Sequence, residues 1–169
     1  MNGRDLAELL RREIKHKKHS ADPEIIAART VIQMMSPNLD DLSRKSIDVL
    51  RVYMPEFRGT FLDVGCYGGW VYHYVKDKVV YHGIDRWPTG INVGQMLFGD
   101  MFECADVMEY KTQHDIVWAS HLQPEFPITL EVVNHLKSLA KRLLIIVDSG
   151  LSDTYGHTDK GHNYLGFRK

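Results

Sequence analysis

The sequence has few of the features that define several large classes of protein. Its 169 residues include two cysteines, Cys66 and Cys104, whose separation is not that of metal ligands. So few cysteines predict reduced thiols in a cytoplasmic protein, with no disulfide framework and no metal. No apolar run approaches the ~20 residues of a membrane span, and the polar, charged start is unlike a signal peptide. The formal net charge of -1 does not indicate a nucleic-acid partner.

The first part of the chain has the apolar spacing of helices. Leucine and isoleucine recur at helical intervals within residues 4–19, and again in residues 22–35 and 39–54. Asp22-Pro23 is a typical helix start, with Asp22 as the N-cap and Pro23 in the first turn. We therefore expect residues 1–57 to form a helical segment packed on a domain of residues 58–169, in one compact unit.

From residue 58 onward, the pattern alternates between strand and helix. We predict strands at residues 60–64, 79–84, 101–105, 116–119 and 143–147, and helices at residues 70–76 and 129–141. Short apolar strands alternating with helices are typical of an α/β protein with a mostly parallel sheet covered on both faces. The segment from Arg86 to Gly94 contains a proline and two glycines, so it predicts a loop with at most a helical turn near Gln95.

Three acids stand at the carboxyl ends of predicted strands and should meet at one rim of the sheet, where such sheets bind ligands. Asp85 follows Gly65 at the spacing of an acid that accepts hydrogen bonds from ribose hydroxyls. Asp106 could accept from an adenine amino group. Asp63 lies two residues before Gly65, at the expected mouth of a glycine turn. A carboxylate there repels a pyrophosphate and attracts an ammonium group, which favours a positively charged nucleoside over NAD or FAD.

These motifs resemble, in order and spacing, those of class I S-adenosyl-L-methionine-dependent methyltransferases. Phe-Leu-Asp-Val-Gly-Cys-Tyr-Gly-Gly, from Phe61, is similar to the family's first motif. The family's second, third and fourth motifs are similar to residues 82–85, 104–107 and 114–121 of this sequence. The resemblance extends over residues 58–150. It implies a Rossmann-like, mostly parallel sheet of about five to six strands with helices on both faces, preceded by the N-terminal helical segment.

The resemblance also implies a cofactor, S-adenosyl-L-methionine, with S-adenosyl-L-homocysteine as product. The cofactor-binding residues that it indicates are Asp63, Gly65, Cys66, Tyr67, Gly69, Asp85, Arg86, Asp106, Val107, Ala119 and Ser120. Asp63 and Gly65 would face the methionine end, and Gly69 would let the backbone approach it. Asp85 would hold the ribose. Asp106 and Val107 would line the adenine pocket. Arg86 and Trp87 could pack against the adenine or on the surface.

The chain departs from the family pattern in two respects. Tyr67 stands where the family has its middle glycine, and Gly68 beside it could compensate. Asp100 competes with Asp106 for the adenine role. The family sheet usually has seven strands, whereas one more strand at residues 164–168 would give six here and leave the closing hairpin incomplete.

His121, after the fourth predicted strand, is the candidate catalytic base. Ala119 and Ser120 before it would border the reactive methyl group. The alternative is a loop histidine in an ordinary hydrogen bond. The run from Ser120 to Gln123 differs from the Asn/Asp-Pro-Pro-aromatic motif of base N-methyltransferases, which argues against amino-methylation of DNA bases. The tail with His157 and His162 could be an acceptor-binding lid or a frayed end, and no ligand spacing there supports a metal.

Three functions remain open from the sequence. The first is methyl transfer to an unidentified acceptor, expected to be a small molecule with an oxygen or nitrogen nucleophile. The second is a non-catalytic module that binds the same nucleosides, suggested by Tyr67 and the short sheet. The third, a nicotinamide oxidoreductase, is disfavoured by Asp63. An open sheet edge could pair with a second copy of the chain, and no membrane partner is expected.

Overall fold

The computed structural model describes residues 22–35, 41–122, 127–148 and 164–169. Six strands form one sheet: β1 (Thr60–Val64), β2 (Val80–Asp85), β3 (Phe102–Cys104), β4 (His114–Ser120), β5 (Ala140–Val147) and β6 (Tyr164–Arg168). Their order is β3-β2-β1-β4-β5-β6, with β6 antiparallel to β5 and all other neighbouring pairs parallel. The predicted six-stranded, mostly parallel α/β sheet is confirmed.

Five helices accompany the sheet in the described residues: α1 (Pro23–Met35), α2 (Asp41–Tyr53), α3 (Tyr72–Val75), α4 (Pro88–Phe98) and α5 (Leu130–Leu139). The predicted start of α1 is confirmed, because Oδ1 of Asp22 accepts a hydrogen bond from the Glu24 N–H at 2.9 Å. A short 3₁₀ helix, Met54–Glu56, ends the helical part before β1. The helix predicted at residues 4–19 lies outside the described residues. The division at residue 57 stays a prediction.

Two apolar cores lie on opposite faces of the sheet. Alternate residues of each central strand enter different cores, as the pleat requires: Phe61 of β1 joins one core and Leu62 the other. The first core also contains residues of α2, α3 and α4, whereas the second is covered by α5. The core strands are mostly apolar because both of their faces are buried.

Helix α4 corrects the prediction of a loop at residues 86–94. Pro88 occupies the first turn of the helix, where its missing N–H costs nothing. Gly90 and Gly94 lie one turn apart and allow close packing: a Cβ at Gly90 would lie 3.1 Å from the carbonyl oxygen of Tyr67, and one at Gly94 would lie 3.1 Å from the Phe102 ring. These glycines therefore reflect tertiary contacts and do not interrupt the helix.

None of the helices in the described ranges is long and apolar enough to cross a membrane.

Candidate functional site

The candidate site lies where the chain changes direction across the sheet. From β1 the chain moves outward to β2 and β3, and then crosses to β4 on the other side of β1. Such a switch point opens a crevice at the carboxyl ends of the two central strands. Val64 at the end of β1 pairs with Ala119 of β4, so the turn after β1 and the residues after β4 form the two walls.

The turn after β1 passes through three residues with left-handed backbone. The φ angles are 73° at Gly65, 51° at Tyr67 and 83° at Gly69. The N–H groups of Gly65 and Cys66 both donate to the carbonyl oxygen of Ile84, at 2.9 and 3.1 Å, which attaches the turn to β2. A left-handed conformation costs a residue with a side chain about 1 kcal/mol or more, so surrounding contacts must hold Tyr67 in place.

Asp85 supplies one of those contacts. Its Oδ2 accepts a hydrogen bond from the Tyr67 N–H at 2.9 Å, and its Oδ1 accepts one from the Trp87 N–H at 2.9 Å. The predicted ribose acid therefore joins the glycine turn to the start of α4. These two hydrogen bonds fix the Asp85 carboxylate at the end of β2.

Asp63 is not at the mouth of the turn, and that prediction is wrong. Its side chain is 1% exposed because the strand pleat turns it beneath the turn, where the Tyr81 hydroxyl donates to Oδ2 at 2.6 Å. Burial and the charge of Asp85 raise the pKa of Asp63 to about 7, against the effect of the Tyr81 hydrogen bond. Its Oδ1 has no hydrogen-bond partner among the described residues. Its contact with the methionine end stays a prediction.

The two residues nearest these acids differ in exposure. Cys66 is buried, and burial together with the charges of Asp63 and Asp85 raises the pKa of its thiol well above the ordinary value. A thiol in this state is a poor nucleophile. Arg86, by contrast, is exposed, and its carbonyl oxygen accepts from the Cys104 thiol at 3.7 Å.

Gly69 is required mainly by the core. A Cβ there would lie 2.5 Å from the ring of Phe102 and 3.3 Å from Phe98. The space beside Gly69 is thus filled by aromatic side chains, and its predicted closeness to a cofactor stays a prediction.

The predicted adenine residues lie beyond the end of β3. This strand ends at Cys104 and not at Asp106, which is exposed and accepts the Met108 N–H on Oδ1 at 2.8 Å. Val107 is buried, and His135 of α5 lies 2.7 Å from its carbonyl oxygen through Nε2. The Ala105 N–H donates to the carbonyl oxygen of Asp85, which brings this segment beside the ribose acid.

The end of β4 forms the opposite wall. Ala119 is fully buried, and the Ser120 hydroxyl accepts from the Trp118 indole N–H at 3.1 Å. Leu122 lies over the first glycine of the turn, because a Cβ on Gly65 would be 2.5 Å from its Cδ2. The two walls are therefore in direct contact through an apolar side chain.

His121 has a left-handed backbone, with φ of 57°. Its N–H donates to the carbonyl oxygen of Val147, and its Nε2 lies 2.7 Å from the hydroxyl of Ser46 on α2. This hydrogen bond is compatible with both readings of His121, and its role as the base stays a prediction. Ser46 is fully buried, and nothing in the local sequence of α2 marked it as a neighbour of the site.

The sequence also gave no indication that α1 reaches the glycine turn. A Cβ on Gly68 would collide with the Thr30 hydroxyl and lie 3.4 Å from Ile26. The only local signal is the pair of adjacent glycines, which permits this approach but does not identify the partner.

Together, the structure brings the turn, Asp85, the segment around Asp106 and the end of β4 to one rim, whereas Asp63 and Cys66 lie beneath it.

Comparison with known proteins gives matches in structure alone. No protein-family model matches the sequence, and no curated protein matches it. Magnesium protoporphyrin IX methyltransferase from Synechocystis PCC 6803 with bound S-adenosyl-L-homocysteine matches with a TM-score of 0.55 at 18% identity, over 69% of this chain and 63% of that one. A putative S-adenosyl-L-methionine-dependent methyltransferase from Methanococcus maripaludis matches with a TM-score of 0.57 at 10% identity, over 80% and 68% of the two chains.

Phosphoethanolamine N-methyltransferase 2 from Haemonchus contortus matches with a TM-score of 0.54 at 17% identity, over 62% of this chain and 28% of that one. The chain has the class I methyltransferase fold. The match spans less than two thirds of the length of the Synechocystis enzyme, and at these identities the likeness concerns the fold.

Within the class I methyltransferase fold, this chain has its own version of the first turn and of the last edge. Tyr67 adopts the left-handed φ that the family pattern leaves to a glycine. A single antiparallel strand, β6, lies beside β5 in the described residues, as expected for a sheet without a complete closing hairpin.

Proposed function

We propose that this protein binds S-adenosyl-L-methionine and transfers its methyl group to a small-molecule oxygen or nitrogen acceptor. The observation that carries the proposal is the position of Asp85, at the switch point and joined to the left-handed turn. The cofactors named in the Synechocystis structures, S-adenosyl-L-homocysteine and S-adenosyl-L-methionine, support it.

The chemistry of the rim fits this cofactor. The nearby side chains are carboxylates, Asp85 and Asp106, which accept from ribose hydroxyls and from an adenine amino group. A dinucleotide would instead place a pyrophosphate beside these negative charges. The rim therefore favours a nucleoside without phosphates.

Bound S-adenosyl-L-methionine supplies a methyl group on a positively charged sulfur. The chain's part is to hold the acceptor in line with that methyl group, which can provide much of the rate enhancement. His121 is the candidate base for the acceptor's proton, and Ser46 fixes its ring. If His121 has this role, His121→Gln lowers turnover by about 10²-fold or more and leaves cofactor affinity unchanged. Unchanged turnover would remove His121 from the mechanism.

Acceptors in the neighbouring structures support a small molecule here. One neighbour is named for magnesium protoporphyrin IX, and another was solved with phosphomonomethylethanolamine. The two cysteines are free thiols, which supports the proposed cytoplasmic setting.

The second candidate is a module that binds the nucleoside without turnover. Two observations favour it: Tyr67 occupies the turn, and Leu122 lies over Gly65. Binding without transfer to any of a broad panel of hydroxyl and amine acceptors would support this alternative.

Isothermal titration calorimetry tests the shared part of both proposals. The ligands are S-adenosyl-L-methionine, S-adenosyl-L-homocysteine and NAD, against the wild type and Asp85→Ala. We expect both sulfur nucleosides to bind the wild type, NAD to give no heat, and Asp85→Ala to weaken binding by about tenfold or more, since an ion-assisted hydrogen bond contributes about 1.5–3 kcal/mol. Asp48→Ala, an exposed acid of α2 paired with Arg51, is the matched control. If neither sulfur nucleoside binds the wild type, the proposal is overturned.

A further inference from the structure

Residues 105–113 connect β3 to β4 across the face of the sheet that α5 covers, and this segment is called the crossover. It contains turns but neither helix nor strand. Val107 is buried in the core beneath α5, and Tyr110 packs against the same core. The crossover also carries Asp106, the predicted adenine acid. Its position therefore sets one wall of the proposed nucleoside site.

Three aromatic rings hold the later part of the crossover against the sheet. The rings of His82 on β2, Tyr110 and His114 on β4 are stacked, with centroids 5.8–6.1 Å apart and planes within 24° of one another. The Tyr110 hydroxyl lies 3.0 Å from Nε2 of His114. The Tyr110 N–H donates to the carbonyl oxygen of Asp106 at 3.1 Å, so a displacement of the Tyr110 ring also moves the adenine acid.

The second ring nitrogen of His114 cannot accommodate a proton in this arrangement. His114 is 7% exposed, and its Nδ1 is buried without a hydrogen-bond partner among the described residues. A neutral imidazole has one N–H, which Nε2 can donate to the Tyr110 hydroxyl, leaving Nδ1 as an unpaired acceptor. An imidazolium has an N–H on both nitrogens, and a buried donor on a charged ring costs more than a neutral acceptor. The stacked arrangement therefore requires a neutral His114.

The charged groups that face His114 differ in their effect. His82 faces it from β2 and is itself paired through Nε2 with Oε2 of Glu103 at 3.1 Å. Lys141 acts on it from β5, and Asp115 beside it on β4 acts in the opposite sense. Burial, followed by His82 and Lys141, lowers the pKa of His114 from the ordinary 6.5. The geometry and the charges thus both favour the neutral ring.

A further titratable group, His135 of α5, contacts the crossover. Its Nε2 lies 2.7 Å from the carbonyl oxygen of Val107. Since a carbonyl oxygen only accepts, Nε2 donates, and this N–H is present in the neutral and in the protonated ring. Protonation of His135 therefore leaves its contact intact, and the contact that acid breaks is the one at His114.

We propose that His82, His114 and Tyr110 form a pH-sensitive switch that controls nucleoside binding. At neutral pH the three rings hold the crossover closed, with Asp106 in place. When the pH falls, His114 takes up a proton, Tyr110 leaves the stack and Asp106 is displaced. A ligand that binds only the closed form loses apparent affinity as the closed fraction decreases. The switch rests on the proposed function through the adenine role of Asp106.

Two measurements test the switch, one without ligand and one with it. Hydrogen exchange by mass spectrometry follows the crossover at about pH 7.5 and about pH 5.5, on either side of the ordinary histidine pKa, with correction for the intrinsic pH dependence of exchange. Calorimetry gives the affinity for S-adenosyl-L-homocysteine under the same conditions. The proteins are the wild type, His114→Gln, His82→Gln and His73→Gln. His73 is exposed on α3, and burial and Lys76 lower its pKa, so its variant is the matched control.

We expect the crossover of the wild type to lose protection at the lower pH. Its affinity should fall by about threefold to tenfold, since one linked proton changes affinity by at most about tenfold per pH unit. His114→Gln should stay protected with little change in affinity, His82→Gln should show an intermediate response, and His73→Gln should match the wild type. The effects of Asp63 and His121 are common to all four proteins and cancel in the comparison.

Stable protection in the wild type, or an equal loss in the wild type and in both ring variants, overturns the switch and leaves the proposed function standing. A response of hydrogen exchange to pH without a response of affinity overturns the control of binding. If the wild type binds no S-adenosyl-L-homocysteine at either pH, the proposed function is overturned, while hydrogen exchange still decides whether the crossover opens.

Discussion

Tyr67 and His121 adopt the left-handed backbone that residues with side chains usually avoid, and they belong to the two different walls of the crevice. Their φ angles are 51° and 57°. Each is held by a contact from another element: Asp85 accepts from the Tyr67 N–H, and Ser46 is hydrogen-bonded to the His121 ring. Backbone strain held in this way concentrates at functional sites. The two residues therefore mark the crevice independently of any resemblance.

The carboxyl group of Asp63 makes stability depend on pH. Its pKa is about 7 in the folded protein, above the ordinary 3.8. Between these values the unfolded chain has lost the proton and the folded chain retains it. The contribution of Asp63 to the free energy of unfolding therefore falls as pH rises from about 4 to about 7, and it is constant above pH 7.

Asp63→Asn removes this titration. We expect the melting temperature of the variant, relative to the wild type, to rise from pH 4 to pH 7 by an amount that corresponds to a few kcal/mol, and then to stay constant. Thermal unfolding by circular dichroism measures it. Asp115→Asn is a control of opposite sign: hydrogen bonds from Thr60 lower the Asp115 pKa, so its contribution is lost only as pH falls below about 4. A relative melting temperature of Asp63→Asn that does not change with pH would contradict the prediction.

Among the elements, the strands were predictable and one helix was not. Strands such as β1 and β5 are buried on both faces, so the mostly apolar β1 and the apolar run at residues 143–147 of β5 mark them without tertiary knowledge. Helix α4 was mistaken for a loop because Gly90 and Gly94 lower helix propensity. Both glycines are needed because α4 packs closely against Tyr67 and Phe102. These partners lie outside the helix, so a local sequence pattern does not reveal the contacts.

The candidate site was also predictable only in part. Asp85 and the glycine turn follow strands directly, so their meeting at one rim could be inferred from a parallel sheet. Side-chain direction could not: Asp63 lies in the same motif but points beneath the turn, because the pleat alternates. The contact of Ser46 with His121 and the approach of α1 to Gly68 depend on how α2 and α1 pack, which the sequence alone did not reveal.

The contact between α1 and the turn predicts a coupled pair of substitutions. Gly68→Ala introduces a methyl group against Thr30 and should destabilise the protein by about 1–3 kcal/mol through overpacking. Thr30→Ala removes the hydroxyl that the methyl group meets. The double variant should therefore lose less than the sum of the single variants, with a coupling of about 1 kcal/mol.

Urea unfolding of the four proteins of this cycle measures the coupling. Additive losses would show that the turn and α1 do not press on one another. Calorimetry with S-adenosyl-L-homocysteine on the same proteins gives an independent measurement, because displacement of α1 also disturbs the glycine turn that it packs against.

At the scale of the whole molecule, the outer edge of β6 has backbone groups directed away from the sheet. The Lys169 N–H donates to the Arg142 carbonyl oxygen on the β5 side. Since directions alternate along an antiparallel strand, the N–H groups of Arg168 and Gly166 face outward. We propose that two copies of the chain pair through this edge.

Arg168→Pro tests the dimer, because it removes an outward N–H and none of the bonds to β5. Arg168→Ala is the matched control, since both variants lose the ion pair with Glu56. In sedimentation velocity at micromolar concentration, we expect a dimer for the wild type and Arg168→Ala, and a monomer for Arg168→Pro. A wild-type monomer at all concentrations, or a dimer unaffected by proline, would rule out this edge.

The ring of Phe102 has a consequence for how this fold can diverge. It fills the space that Cβ atoms on Gly69, Gly83 and Gly94 would otherwise occupy, so one aromatic residue on a three-residue edge strand constrains the turn, β2 and α4 together. Gly69 and Gly83 cannot acquire a side chain while the ring stays in place, and a side chain at Gly94 requires the ring to move by a few tenths of an ångström. In an evolving lineage the four positions should therefore change as a set, with a smaller residue at 102 preceding any substitution at the other three.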